Sequence, residues 1–401
     1  MAAILSYKQQ PRQHYLVDNP IVFELQSTVQ ERIYFDITIA EQVVYSGVFI
    51  PVGSGAAFEA TISIAEILKS YIKDSEISDM TIFVSPVSNS FFPFSVTFKQ
   101  NSDTLTYNGN VFNGGIGKKL FRYLKERDTD IFDYKFLNPN NQFFLTTRTA
   151  GRHIVVKENE LCPLYFIALD KSYVFVTEYG NKFFFTPPVI GEMYALNIRI
   201  LRQLSHTTFG NLPSYIEVLV NDCSIFDVTI QEPAPSPTHY IIEFLNSFAA
   251  FERLEVTGKV DSEPEFAEDN VFMSYDRIID DYTEQNNRLS MREIIHAAFG
   301  YKSPDEFLFM RDMLQSNKRY LIDPDGNRQE VRVSAENFSH AMFPTKPGSI
   351  SLKIRMVDND SNYSPAIDAS DPDVYHGESI WQRGITSWNG FLYADSQLKT
   401  I

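Results

Sequence analysis

The chain has 401 residues, 44% of them hydrophobic and 21% charged, a balance that allows two to four well-packed domains and excludes a disordered chain. Its net charge of −16 argues against a broad nucleic-acid-binding surface, because phosphate contacts need Lys and Arg. Two cysteines, Cys162 and Cys223, are too few and too far apart for a disulfide scaffold or a zinc site. No run approaches the roughly 18 apolar residues of a membrane span. The N-terminal MAAILSYKQQPRQ lacks the apolar core of a signal peptide, so synthesis in a reducing cytoplasm is expected. Aromatic residues are abundant, with 33 Phe and 21 Tyr, which suits sheet faces and subunit contacts.

In chain order, residues 19–27, 32–39 and 42–52 are β-branched and aromatic runs broken by polar turns, and they predict strands. Residues 62–72 change to helical spacing through Ile64, Ile67, Leu68 and Tyr71. Strands resume at MTIFVSPV and FFPFSVTFKQ, Asn108-Gly109 predicts a tight turn, and KKLFRYLKER predicts a short helix with a solvated basic face. FDYKFLNPNNQFFLTTRTAG and RHIVVKE complete a first module, residues 1–160, a β-sandwich with helical insertions. The second module, residues 161–260, opens with two strands turning at Gly180-Asn181. MYALNIRILRQL and SYIEVLVND follow as alternating strands, and the prolines of QEPAPSPTH mark a surface loop.

Short internal echoes connect the two modules. Pro20-Ile21-Val22-Phe23 parallels Pro163-Leu164-Tyr165-Phe166. Phe136-Leu137-Asn138 parallels Phe244-Leu245-Asn246, each in a strand context, with Thr149 and Thr257 equally far beyond. They predict two related sandwiches.

The third module, residues 261–365, reads as α+β. LSMREIIHAAFG fits either a helix or a strand. In the next segment Ser303, Pro304 and Glu306 form a capping box, and Phe307, Phe309, Met310, Met313 and Leu314 crowd one side of the resulting helix. Asp325-Gly326 joins two alternating runs into a hairpin, and SISLKIRMVD adds a closing strand. The fold class is therefore mainly β: tandem β-sandwich modules, a small α+β module, and an extended aromatic tail over residues 366–401.

The C-terminal motifs carry a resemblance. P-D-E-F-x-x-x-R-D-x-L-x-S from Pro304, Y-L-I-D-x-D-G from Tyr320, I-S-L-K-I-R from Ile350 and N-Y-S-P from Asn362 together resemble tail-associated structural proteins of phages and prophages of Bacteroides-like bacteria. FNGGIGKKLF from Phe112 and FERLEVTG from Phe251 fit the same family, and the likeness runs from about Asn19 to Pro365. The resemblance implies a distal-tail, baseplate or tail-tip part, located in the virion tail after assembly in the host cytoplasm. It implies a homo-oligomeric ring with other tail proteins as partners, and no reaction and no cofactor. Trp381, Trp388, Phe391 and Tyr393 are the candidate interface anchors, with the tail's rings buried either against a neighbouring subunit or back on their own chain. In the alternative reading, Trp381, Trp388 and Tyr393 stack on a host glycan, making the chain a receptor-recognition protein.

No motif carries catalysis on its own. GGIGKK fails as a phosphate loop because Phe112 stands where its first glycine belongs and Lys119 replaces the magnesium-binding Ser/Thr. DNDSN has calcium-loop alternation at Asp358, Asp360 and Asn362, but Tyr363 replaces the glycine and Ala369 the final Glu, leaving at most a weak cation site. The seven histidines are scattered, with no HExxH pair and no GxSxG elbow.

Overall fold

A computed structural model describes residues 4–53, 57–140, 143–169, 172–233, 240–267, 271–286, 290–302, 304–323, 326–335, 338 and 348–357. It is mainly β, with tandem β-sandwiches followed by a sheet that carries one helix.

The first stretch contains β1 (Leu5–Tyr7), β2 (His14–Leu16), β3 (Val22–Ser27), β4 (Ile33–Ile39), β5 (Gln42–Phe49), β6 (Phe58–Ser63), α1 (Ala65–Lys69), β7 (Glu76–Ile77), β8 (Val84–Ser88), β9 (Phe91–Gln100), β10 (Asp103–Phe112) and α2 (Lys118–Glu126). Three strands, β1-β3-β6, face five, β2-β10-β9-β4-β5. Period-2 alternation turns Phe23, Leu25 and Ile62 of one sheet toward Phe35, Val96 and Phe98 of the other, making one dry core.

The second stretch contains β11 (His153–Lys157), β12 (Leu164–Ile167), β13 (Tyr173–Thr177), β14 (Lys182–Phe185), β15 (Met193–Leu196), α3 (Ile198–Phe209), β16 (Tyr215–Val220) and β17 (Cys223–Gln231). Its five-stranded sheet runs β11-β17-β16-β13-β14, and its four-stranded sheet β12-β15-β8-β7. The two five-stranded sheets share a topology. In each, a parallel strand (β2 on β10, β11 on β17) starts a series of antiparallel neighbours. The opposing sheets match too, β3 with β6 as β12 with β15, each followed by a helix. The duplication predicted from the Pro20 and Pro163 echoes agrees with this order, since the two prolines stand at the entries of the equivalent strands β3 and β12. The second echo does not: Phe136 closes a helical turn over Phe132–Phe136, whereas Phe244 lies in a strand.

The last stretch contains β18 (Ile241–Leu245), β19 (Phe251–Glu255), β20 (Val260–Ala267), β21 (Val271–Asp276), β22 (Asp281–Asn286), β23 (Ser290–Lys302), α4 (Pro304–Gln315), β24 (Arg319–Ile322), β25 (Arg328–Ala335) and β26 (Gly348–Met356). Seven strands order as β19-β18-β24-β25-β26-β23-β20. Phe307, Phe309, Met310 and Met313 of α4 are buried against Phe244, Leu321, Val331 and Leu352. The helix and the hairpin at Gly326 (φ 91°) stand as expected, while Ser303 and Asp325 lie outside the described residues. The ambiguous LSMREIIHAAFG is strand β23.

Strand pairing corrects three expectations. The boundaries at 160 and 260 do not separate the sheets: β7 and β8 of the first stretch pair beside β15, β11 pairs with β17, and β18 and β19 join the third sheet. Asn108-Gly109 is not a turn. It sits inside β10 opposite Ser95 and Phe94, and the chain reverses at Asn101 (φ 53°). Gly109 is needed there because a Cβ would stand 2.1 Å from the Tyr107 hydroxyl, which folds over it and donates to the Arg12 carbonyl. The third correction is MYALNIRILRQL, which becomes β15 and then α3. Asn197 caps the helix by accepting from the Ile200 amide at 3.4 Å, and Gly210 (φ 74°) ends it.

The β12-β15-β8-β7 sheet is covered on both faces. One face packs on the second five-stranded sheet. The other meets a helical layer of Leu124, Ile131, Phe132 and Phe136, together with Phe248. That explains why β12 and β15 are buried at every position and read as continuous apolar runs.

Candidate functional site

A cleft of about 140 Å³ opens between the segment joining β1 to β3 and the helix α2. Leu16, Val22, Ile116, Phe121, Leu124 and Ile131 give it an apolar floor, with Arg12, Glu24, Lys125 and Asp130 among its polar lining. Drug-sized ligands occupy roughly 300–1,000 Å³, whereas an engineered apolar cavity of about 150 Å³ takes benzene. The cleft therefore suits one ring or one branched side chain.

His14 lines it, packed between the Phe112 and Phe132 rings at 5.8 and 5.2 Å. Its Nδ1 is buried without a hydrogen-bond partner among the described residues, and burial lowers its pKa against the pull of Asp130 and Asp133. Burial raises the Asp130 carboxyl. Of the other described histidines, His153 pairs with Asp227, His296 lies 2.9 Å from Glu263, and His206 is on α3. Among the described residues no three His, Cys, Asp or Glu converge in a metal-binding group.

Alongside the cleft, α2 presents Lys118, Lys119, Arg122 and Lys125 to solvent, and the Arg127 guanidinium lies 3.7 Å from the Tyr123 ring centroid. The glycines before α2 serve packing. The Gly114 carbonyl accepts from the Asp18 amide at 3.0 Å, and the Gly115 amide donates to the Ser247 carbonyl at 2.7 Å. A Cβ on Gly114 (φ 98°) would stand 2.5 Å from that carbonyl oxygen.

A β-arm is the second feature. The β20–β23 and β21–β22 ladders keep one register, so they are successive stretches of a single two-stranded arm. β26 pairs with β23 only from Ile294 onward, and among the described residues no strand flanks β21 or β22. Met273 is 60%, Tyr282 62%, Ile279 57% and Ile278 93% exposed, and none belongs to a core cluster. The tip is ordered by its own polar groups: Asp276 accepts from the Ile278 amide at 2.8 Å, and the Tyr275 hydroxyl donates to Asp280. A further open apolar edge runs along β5, the last strand of its sheet, with Val43, Tyr45 and Val48 exposed.

A buried ionic seam holds the second sandwich to the third sheet. Glu252 accepts from Thr146 (2.5 Å), the Thr147 amide (3.2 Å) and Asn246 (2.8 Å). Asn246 in turn accepts from the Phe248 and Ala250 amides at 2.9 Å and donates to the Leu145 carbonyl at 3.0 Å. Glu160 accepts from Arg148 at 2.8 Å and from the Glu255 amide at 2.8 Å. Fully buried Arg253 donates to Glu243 at 3.0 Å, and Glu243 also accepts from Arg328 at 2.7 Å. Asp312 on α4 accepts from Thr147 at 2.7 Å and from the Ser247 amide at 3.1 Å. Beside the seam, Lys135 Nζ reaches the Thr146 carbonyl at 3.5 Å, and burial pushes its pKa down to about 7 despite the nearby Glu252. Burial likewise pushes the Cys162 thiol up to about 12, which makes it a poor nucleophile. The motif FERLEVTG thus supplies core ion pairs.

The predicted anchors Trp381, Trp388, Phe391 and Tyr393, and the cation-loop residues Asp358 and Asp360, lie outside the described residues. None of the arm, the cleft and the seam was identified as a site from sequence. The arm had a signal in the isolated Ile278-Ile279 pair between acidic residues.

No protein-family model matches the chain, and no curated protein does. Among solved structures, an engineered protein is 14% identical over 28% of this chain with a TM-score of 0.16, and this chain spans 20% of its length. An I-band fragment of titin is 7% identical, covering 74% of this chain and 94% of the fragment, with a TM-score of 0.17. Extracellular domains 3–5 of Drosophila OTK are 8% identical, covering 73% of this chain and 92% of theirs, with a TM-score of 0.18. Similarities at these scores carry no argument about function. No helix among the described residues is long and apolar enough to cross a membrane.

Proposed function

We propose that this chain is a structural part of a bacteriophage tail, of the distal-tail, baseplate or tail-tip kind. It assembles as a homo-oligomeric ring with other tail proteins and catalyses no reaction. The observation that carries the reading is the β21–β22 arm, which shows water a row of large apolar side chains ending in Ile278 and Ile279. A two-stranded ribbon is marginally stable alone, and contiguous exposed apolar surface marks protein–protein contact. The open β5 edge offers a second such surface. The seam supports a mechanical role, since the buried hydrogen bonds that Glu252, Asp312 and Glu160 make across it resist separation of the modules. The motif resemblance supplies the phage-tail setting.

Purified protein is expected to sediment as a closed oligomer and to form rings in negative-stain micrographs. Virions made without it are expected to lack complete tails. A chain that stays monomeric when concentrated, from a phage whose tails are normal in its absence, would refute the reading.

A further inference from the structure

We infer that the tip of the β21–β22 arm of one copy docks into the cleft beside α2 of a second copy of this chain. The inference rests on the self-assembly reading and adds to it the two surfaces that meet. Three observations point to this pair.

Size is the first. The 140 Å³ cleft is too small for a drug-sized ligand and fits one branched side chain, and the most exposed large apolar residue on the described surface is Ile278 at the arm tip. Its neighbour Ile279 can cover the cleft mouth, where Phe121 and Leu124 of α2 line the wall.

Charge is the second. Residues 260–293 contain ten acidic side chains and three basic ones, a net charge of −7. Residues 118–127 contain five basic side chains and one acidic, a net charge of +4 on a chain that is otherwise acidic. Lys118, Lys119, Arg122 and Lys125 make no ion pair among the described residues. Asp276, Asp280 and Asp281 lie within two or three residues of the isoleucines, so a seated tip brings acidic groups to those cations. The cation at the tip, Arg277, then faces Glu24 and Asp130 in the cleft.

Preorganisation is the third. The Asp276 and Asp280 hydrogen bonds hold the tip loop in one shape before docking, which lowers the ordering cost of association. Within one copy no arm residue lines the cleft, so the complementary surfaces are left for another copy. Because the two surfaces differ, the contact runs head to tail. It closes either as a reciprocal pair or around a ring.

The test uses full-length chains in a sedimentation-velocity titration. One variant carries Ile278→Asp and Ile279→Asp on the exposed tip, and the other carries Lys118→Glu, Lys119→Glu and Arg122→Glu on exposed α2. Each variant alone is expected to self-associate about 30-fold more weakly or worse, the loss set by one buried anchor of about 2 kcal/mol. Mixed in equal amounts, the two are expected to form a 1:1 dimer and nothing larger, because one intact tip meets one intact cleft. Circular dichroism matching the wild type confirms that both variants fold. If both assemble like the wild type, the docking pair is wrong while the assembly reading stands. If the variants fail alone and fail to complement when mixed, the docking pair is likewise overturned. A wild-type chain that remains monomeric overturns both.

Discussion

Burial of Lys135 makes stability depend on pH in a window where few side chains titrate. Its ammonium stem is covered by the Phe132–Phe136 turn and by Phe248, whose ring centroid lies 4.3 Å from Nζ, and its pKa falls from 10.5 to about 7. Between those values the unfolded chain holds the proton and the folded chain has released it. Stability therefore rises with pH in that window, by about 1.4 kcal/mol per pH unit, and is lost as pH falls through 7. From pH 7.5 to 9.0 the gain is about 2 kcal/mol. Lys135→Met keeps the length and removes the charge, so its stability curve is expected to lack this slope. The assay is urea denaturation followed by circular dichroism at half-unit pH steps, read as the difference between wild type and variant, so that shared titrations cancel. The thiol of Cys162, raised to about 12, is one such shared group and acts in the opposite direction above pH 9. Parallel curves would refute the reasoning and would mean that the Phe248 ring and Glu252 hold the ammonium charged inside the protein.

Gly114→Ala is expected to cost about 2–3 kcal/mol, since it adds left-handed strain to a clash with the Ser247 carbonyl; thermal melting measures it, and an unchanged midpoint refutes the packing role of the glycine loop. Arg253→Met should cost about 3–5 kcal/mol by leaving Glu243 short of a buried partner, and Glu243→Gln in the same chain should recover part of that, as a double-mutant cycle on denaturation free energies will report. Val87→Asp in β8 should strip hydrogen-exchange protection from β12 and β15 and leave β4, β9 and β10 protected, because β8 pairs into the second sandwich; the opposite pattern would return that segment to the first.

Local patterns were legible in the sequence wherever local physics decides. The α4 helix follows from its apolar stripe, the hairpin at Gly326 from its turn residues, and β3 from a β-branched and aromatic run bounded by polar turns, whereas the two strands expected before Pro187 are three, β12, β13 and β14. Where a tertiary neighbour decides, the signal misleads. Asn108-Gly109 carries the residues of a turn, yet the glycine answers to the Tyr107 side chain above it. The α3 helix was hidden because IRILRQL alternates as a strand does, while the informative residues were its ends, Asn197 and Gly210. The ionic seam has no sequence signature at all: Arg148, Glu160, Glu243 and Arg253 look like surface charge until three chain segments close over them.

The misplaced domain boundaries have a single physical origin. Both sandwiches repeat one strand order, and in that order the helix after the fifth strand leads directly to the sixth, as α3 leads to β16. In the first sandwich α1 is instead followed by β7 and β8, a hairpin inserted into its own repeat that adds to the neighbour's sheet beside β15. The insertion buries Val84 in the second core and Val87 in the helical layer, so the first repeat cannot withdraw without opening both. The seam does the same between the second sandwich and the third sheet. Among the described surfaces outside both joints are the arm, the α2 cleft and the β5 edge.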